Sequence, residues 1–393
     1  MRIALRALGL VTALGVGKAE NARRLVAGER GLDTRVSLLD GIRVPFGRVT
    51  APLAEVPPDL AIYESRNVAL ALTALAEIDA EIRAARARYG PDRIAVVMGS
   101  STSGSEAGLE ALETAPTPDS LPEGYDFVQQ ELGTVSESIA RHYDLLGPAL
   151  TIATACSSSA KGLAAARRLL RQDLADAVIV GGADSFTRMT VNGFHSLLAL
   201  DREPCRPFDV SRSGINIGEG AAVFLMERGE GAVLLEGIGE SSDAHSITAP
   251  RPDGYGAVLA MRRALEDASL PPTDIDYVNL HATGTLLNDA MEAKAVHAVF
   301  GSHKLCSGSK GQVGHTLGAA GAVEAGFCWL TLSAYLEEGC VPPHVGCSVV
   351  DPALPEVALA GVGTSLGRRV RSAMSSSYAF GGSNISIVMS APE

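Results

Sequence analysis

Short runs of apolar, often β-branched residues alternate along the chain with Ala-rich stretches in which polar residues return at helical spacing. Residues 94–98 (IAVVM), 177–180 (AVIV, followed by Gly181-Gly182) and 275–280 (IDYVNL) read as strands. Residues 68–88, 161–171 and 258–268 read as helices, surface-facing or half-buried. Strands that are apolar throughout, rather than alternating, belong to sheets covered on both faces, so the pattern predicts an α/β fold. The start, MRIALRALGLVTALGVG, fits a buried first strand running into a Gly-rich turn. A secretory signal fits less well, because Arg6 interrupts the apolar stretch and no clean small-residue cleavage site follows. Residues 115–124 (APTPDSLPEG) read as an exposed loop, and no low-complexity linker divides the chain.

Two segments share one plan. ALTIATACSSSAKGLAAARRLL, from Ala149, runs a strand into a turn and an Ala-rich helix with Cys156 at the helix start. KLCSGSKGQVGHTLGAAGAVEAGFCWLTL, from Lys304, does the same with His315 at that point. The pattern predicts an internal duplication, with halves at 1–235 and 236–393 that are not separable.

Composition narrows the class. The 393 residues are 46% apolar and carry a net charge of −12, which excludes a disordered chain and a basic nucleic-acid binder. No apolar run reaches the roughly 18 residues of a membrane span. Six cysteines without a Cys-x-x-Cys pair suggest neither a disulfide framework nor a zinc site, so a cytoplasmic protein without a metal is expected.

The candidate chemistry sits at the strand ends. A helix N-terminus beside Cys156 offers free N–H groups and partial positive charge, which lower a thiol pKa from roughly 8.5 and can hold an oxyanion. The other cysteines read as small buried hydrophobes. His281 follows the strand IDYVNL, at the edge where α/β sheets place their ligands. His315 lies among glycines, with Lys310 five residues before it and Glu324 nine after. Taken alone, Phe380-Gly-Gly-Ser-Asn384 reads only as a turn before a last strand. Phosphate-cradling Gly-rich loops and a Gly-x-Ser-x-Gly elbow are missing from the sequence, which counts against nucleotide chemistry and serine hydrolysis.

TACSS at Cys156, FDVSRSGINIGEGAAVFLME from Phe208, SSDAHSITAP from Ser241, HATGT from His281, GSKGQVGHTLGAAGAVEA from Gly308 and FGGSN from Phe380 together resemble the β-ketoacyl-acyl carrier protein synthases of the thiolase superfamily. Their order agrees, with Cys156, His281 and His315 separated by 125 and 34 residues, and the likeness spans nearly the whole chain. It implies a thiolase-like fold, a duplicated five-layered αβαβα arrangement with two mixed sheets, and decarboxylative Claisen condensation. Cys156 would carry the acyl chain and His281 and His315 would hold the malonyl thioester carbonyl. The amides of Cys156 and Phe380 would form the oxyanion hole, and Lys310, with Glu324, would set the histidines. Asp289 would support the loop, Thr283 and Thr285 would bind the pantetheine arm, and Phe194, Ile215 and Phe380 would shape the acyl channel.

The resemblance also implies an acyl carrier protein as partner, delivering phosphopantetheine so that no resident cofactor is needed, and a homodimer or a heterodimer with a chain-length-factor-like subunit. Among such enzymes the chain looks closest to those that extend aryl polyenes, with fatty-acid elongation as the alternative; a silent chain-length factor would lack the nucleophilic Cys that this chain keeps, and a thiolase would use a second Cys near its C-terminus, which the FGGSN region does not have. Three positions depart from the family pattern: Ala282 and Asn288 stand where Gly is usual, and Ile215 where Phe is usual. They bear on channel shape. Because carrier proteins are acidic, a −12 chain must dock through local arginines, for which Arg66, Arg202 and Arg206 are the candidates ahead of Arg167, Arg168 and Arg171.

Overall fold

The structure, a computed structural model, describes residues 1–117, 120–333 and 335–392. The first half contains β1 (Ile3–Thr12), β2 (Gly15–Val16), α1 (Lys18–Val26), β3 (Thr34–Ser37), β4 (Arg43–Phe46), α2 (Arg66–Ala76), α3 (Asp79–Tyr89), β5 (Ile94–Gly99), α4 (Ser105–Glu113), α5 (Thr134–His142), β6 (Ala149–Ile152), α6 (Ser158–Arg171), β7 (Ala177–Asp184), α7 (Arg188–Ser196) and β8 (Gly220–Arg228). The second contains β9 (Val233–Ser242), α8 (Tyr255–Ala268), β10 (Tyr277–Asn279), α9 (Leu286–Phe300), β11 (Leu305–Ser307), α10 (Lys310–Val313), α11 (Ala320–Leu332), β12 (Ala358–Leu359), β13 (Ser372–Ala379) and β14 (Ser383–Ser390).

The duplication shows in the strand order. The first half runs β6-β5-β7-β8-β1 and the second β12-β11-β10-β13-β14-β9; apart from the two-residue edge strand β12, each has three parallel strands followed by two antiparallel ones. The two mixed sheets touch at one edge, where β1 pairs β9 at Ala4↔Leu234 and Leu5↔Val233, so hydrogen bonding runs continuously from one to the other. This join follows from the short turn that carries β8 directly into β9.

Five layers result. Helices α2 and α5 cover the outside of the first sheet, and α8 and α9 cover the outside of the second. Between the sheets lie α6 and α11, whose Leu163, Ala164, Val323 and Phe327 share one core with Leu8 and Leu10 of β1 and with Ile385 and Ile387 of β14. Close helix approach requires glycine here, since a Cβ on Gly321 would lie 2.7 Å from that of Ala160. Helix α6 is therefore buried on most sides, where its polar spacing had suggested a half-exposed helix. Its serines turn inward to hydrogen bonds, as when Ser159 Oγ accepts the Ala322 amide at 2.8 Å.

The expected helix 68–88 is two helices. At the break, Glu77 turns its carboxylate to the amides of Leu10 (3.2 Å) and Lys18 (2.8 Å) and to the Lys18 ammonium (2.9 Å), so a tertiary anchor interrupts the periodicity. The start of the chain is the buried β1. The described part of the 115–124 loop is exposed or half-exposed, and residues 118 and 119 lie outside the described residues. Among the described residues, no helix is long and apolar enough to cross a membrane.

Candidate active site

The carboxyl ends of the parallel strands of both halves face one another across α6 and α11. Cys156 lies between β6 and α6, two residues before the first helical residue, with Ala155 before it in the left-handed region (φ 52°). His315 is not at the start of α11 but in the connection after α10, where its backbone is pinned to Asn216 and Gly218 (2.7 and 2.9 Å). His281 follows β10.

Geometry brings the three together. His315 Nε2 is 2.9 Å from Cys156 Sγ, and the two imidazoles stand perpendicular, with ring centres 5.3 Å apart. Both rings are wholly buried near the Lys310 cation, which together push their pKa values well below 6.5, so they are neutral. Each Nδ1 faces a donor: the Leu317 amide at 3.2 Å for His315 and the Lys310 ammonium at 3.2 Å for His281. A neutral ring that accepts at Nδ1 carries its proton on Nε2. Both histidines thus present N–H donors to the site. One potential ligand atom from each of Cys156, His281 and His315 lies within 4.8 Å of the others, but these tautomers turn Nε2–H toward that point instead of the lone pairs a metal needs.

Lys310 organises this arrangement. Its ammonium has three N–H bonds and three acceptors: His281 Nδ1, the His281 carbonyl (2.5 Å) and the Glu324 carboxylate. Burial pushes the Glu324 carboxyl up to about 7, against the pull of Lys310.

Cys156 differs from the sequence expectation. Burial pushes its thiol up to about 11, outweighing the Lys310 charge and the amides of Phe380 and of Cys156 itself, which pull it down. Those two amides point at the sulfur, one from the turn before α6 and one from the residue that follows β13. The group at rest is a thiol surrounded by the donors that stabilise a thiolate as it forms.

A cavity of about 300 Å³ opens above this cluster, lined by Phe194, Ile215, Thr283, Thr285, Asn288 and Phe380 among others. The Phe194 and Phe380 rings pack 5.6 Å apart. Thr283 and Thr285 pair their hydroxyls at 3.0 Å on its wall. Asp289 does not reach the cavity; it accepts the amides of Phe208 (2.8 Å) and Gly284 (3.1 Å) and braces the loop, with burial raising its carboxyl to about 6.

The departures from the family pattern have separate consequences. Ala282 has φ 43°, in the left-handed region where Gly is at ease, and its methyl faces Gly308 rather than the cavity. Ile215 and Asn288 do line the cavity.

Two carboxylates were not singled out from the sequence. Glu292 accepts the amides of His281 (2.6 Å) and Ala282 (2.7 Å), holding the bend that follows β10, and its burial raises the carboxyl to about 8. Its signal was available, since Asp289 and Glu292 sit three residues apart on one face of a helix, both on its buried side. Asp184, at the end of β7, is the second.

The candidate docking arginines have different fates. Arg66 forks onto the wholly buried Glu219 (2.5 and 2.9 Å) and donates to the Val49 carbonyl at 2.8 Å, so it neutralises an internal charge and is withdrawn from the docking set. Arg206 lies 3.8 Å from Asp201, and Arg202 is exposed. Arg167 and Arg168 pair with Asp267 and Glu240 of the other half, at 2.5 and 2.9 Å.

A duplicated α/β fold with a Cys-His-His cluster at the meeting strand ends defines a thiolase-like condensing enzyme. The chain belongs to the β-ketoacyl synthases: the family's N-terminal domain matches residues 47–232 and its C-terminal domain residues 232–348. It is 33% identical to the mitochondrial 3-oxoacyl-[acyl-carrier-protein] synthase of Arabidopsis thaliana, over 98% of this chain and 92% of that one. It is 29% identical to 3-oxoacyl-[acyl-carrier-protein] synthase 2 of Coxiella burnetii, over 99% and 98%. Among solved structures it resembles the ketosynthase ApeO, determined in complex with its chain length factor ApeC from Xenorhabdus doucetiae, with TM-score 0.92 and 40% identity over 100% of this chain and 98% of that one. The chain is an acyltransferase that condenses an acyl group with malonyl-acyl carrier protein.

Proposed function

We propose that the chain is a condensing subunit that extends an aryl-polyenoyl chain held on Cys156, in the cytoplasm, with no cofactor beyond the phosphopantetheine its carrier protein brings. The observation that carries the chemistry is the convergence of two neutral Nε2–H donors on the space beside Sγ. Cys156 attacks the acyl thioester of the carrier and gives its proton to the departing pantetheine thiolate. The malonyl thioester then sits with its carbonyl oxygen at His281 and His315. As its carboxyl leaves as carbon dioxide, the electrons of the broken C–C bond move onto that oxygen, where two N–H groups hold the enolate. Because those groups donate hydrogen bonds without being acids, the carbanion is stabilised but not quenched. Its carbon attacks the acyl-Cys156 carbonyl, whose oxyanion meets the amides of Cys156 and Phe380, and collapse expels the cysteine sulfur as a thiolate, which takes a proton from water to return to the resting thiol. Thr283 and Thr285 hold the pantetheine arm, and Lys310 with Glu324 keeps His281 in its donor form.

The likeness to a ketosynthase solved in complex with its chain length factor supports a heterodimer here, and the Phe194 and Phe380 rings, tilted by 31° with centres 5.6 Å apart, give the cavity an aromatic wall that suits a flat conjugated chain. Arg202 and Arg206 remain the docking candidates for the carrier. The halves 1–235 and 236–393 form one folding unit, because α6 and α11 share a core that neither half closes alone. The test is mass spectrometry of Cys156 after incubation with aryl-enoyl and with saturated acyl carrier proteins. Faster loading of the aryl-enoyl chain is expected; preference for the saturated chain would replace the polyene reading with fatty-acid elongation.

A further inference from the structure

We infer that Asp184 is a positioning residue that sets His315 against Cys156 by clamping the turns that carry them. Asp184 ends β7 and is wholly buried, and it does not line the cavity. Its Oδ1 accepts the Ser100 hydroxyl (2.7 Å), the Ser101 amide (2.9 Å) and the amide and hydroxyl of Thr102 (both 2.9 Å). Its Oδ2 accepts the Gly318 amide (2.5 Å) and shares the Ser101 amide (3.1 Å). All of these donors are neutral, so the carboxylate acts as a hub of directed hydrogen bonds and not as half of an ion pair.

The two arms lead to the two reacting groups. On one side, Ser101 Oγ donates to the carbonyl of Ala155 (3.4 Å), the left-handed residue directly before Cys156. On the other, Gly318 follows Leu317, whose amide fixes the His315 tautomer at Nδ1. Leu317 is also left-handed, with φ 52°. Such non-glycine conformations cost about 1–3 kcal/mol each and persist only where neighbours hold them. Gly318 is pressed onto the hub: a Cβ there would lie 2.7 Å from Ser101 Oγ and 2.8 Å from Asp184 Oδ2. One carboxylate from the first half therefore ties the nucleophile turn to the turn of the second half that presents His315, and the 2.9 Å contact from Nε2 to Sγ lies between the two.

This inference deepens the reading of the site above, and its test uses a reaction that does not depend on condensation. In the intact protein, Asp184→Asn turns an N–H pair toward donors that the carboxylate accepted, which frees the Leu317–Gly318 turn. The rate of Cys156 alkylation by iodoacetamide at pH 8 should fall about tenfold, equivalent to about 1.4 kcal/mol of lost stabilisation of the reacting sulfur. In a His315→Ala background the same substitution should slow alkylation clearly less than in the wild type, because only the arm that reaches the Cys156 turn is left to act and coupled contacts are not additive. Gly318→Ala, which keeps every polar group but forces the turn off Asp184, should reproduce the slowing and the same non-additivity, and it serves if Asp184→Asn does not fold. Equal slowing in both backgrounds, or a Gly318→Ala protein that alkylates at the wild-type rate, overturns the positioning role. If the pattern holds while aryl-enoyl loading fails, only the substrate reading falls.

Discussion

Cys156→Ser should lose condensation by more than about a thousandfold, the scale of a missing nucleophile, while still releasing carbon dioxide from malonyl-acyl carrier protein. The two halves of the reaction use different groups. Acyl transfer needs a sulfur that attacks a thioester and later leaves from one, and a serine hydroxyl does neither well at neutral pH. Decarboxylation needs the Nε2–H donors of His281 and His315, whose tautomers are set by Lys310 and Leu317 and not by the sulfur. Parallel assays of chain extension and of carbon dioxide release separate them. Condensation by the serine variant near the wild-type rate would remove Cys156 from its role.

Lys310→Met should produce the second large effect, and it should depend on pH. Without the ammonium, His281 Nδ1 loses the donor that keeps the proton on Nε2, and the ring can turn a lone pair toward the enolate oxygen. Loss of one such donor costs about a hundredfold to a thousandfold in rate. Stability changes too, because Glu324 is buried and its carboxyl stands at about 7 even with Lys310 beside it. A carboxyl raised above its unfolded value favours the fold while protonated, and that advantage is lost as pH climbs through the folded value. Removing the cation raises the folded value further. The variant should therefore lose little stability through this group at pH 6 and about 1.4 kcal/mol at pH 8, about one pH unit above the wild-type value, because its folded state must still hold a proton there that the wild type has released. Urea unfolding at the two pH values measures this, and equal losses at both would show that the ion pair does not govern the site.

Much of the site was legible because strand ends leave a strong signature. An apolar run stops, a reactive side chain follows among small residues, and a helix begins; Cys156 and His281 stand in that setting, and the repeated plan around Cys156 and His315 exposes the two halves, although His315 lies one short helix beyond its strand. What escaped was set by tertiary contacts. Arg66 looks like any surface arginine until Glu219, more than a hundred residues later, is found buried beneath it. The two-helix break at Glu77 serves amides of β1 and α1, which no local pattern encodes. The Cys156 thiol was expected to be acidified by its helix, yet the same enclosure that aims two amides at it also strips its water, and burial outweighs them. Asp184 was invisible for a related reason: it ends an otherwise apolar strand, and its worth lies in loops from both halves that meet only in the folded chain.

The most direct measurement is a single turnover of acyl-loaded protein with malonyl carrier protein labelled in its free carboxyl carbon, followed by intact-protein mass and trapping of released gas. Cys156 should lose its acyl group, the chain should appear on the carrier lengthened by two carbons as a β-ketoacyl thioester, and one labelled carbon dioxide should be released for each product. Transfer of the acyl chain with the label retained, or extension without discharge of Cys156, would contradict decarboxylative condensation at this site.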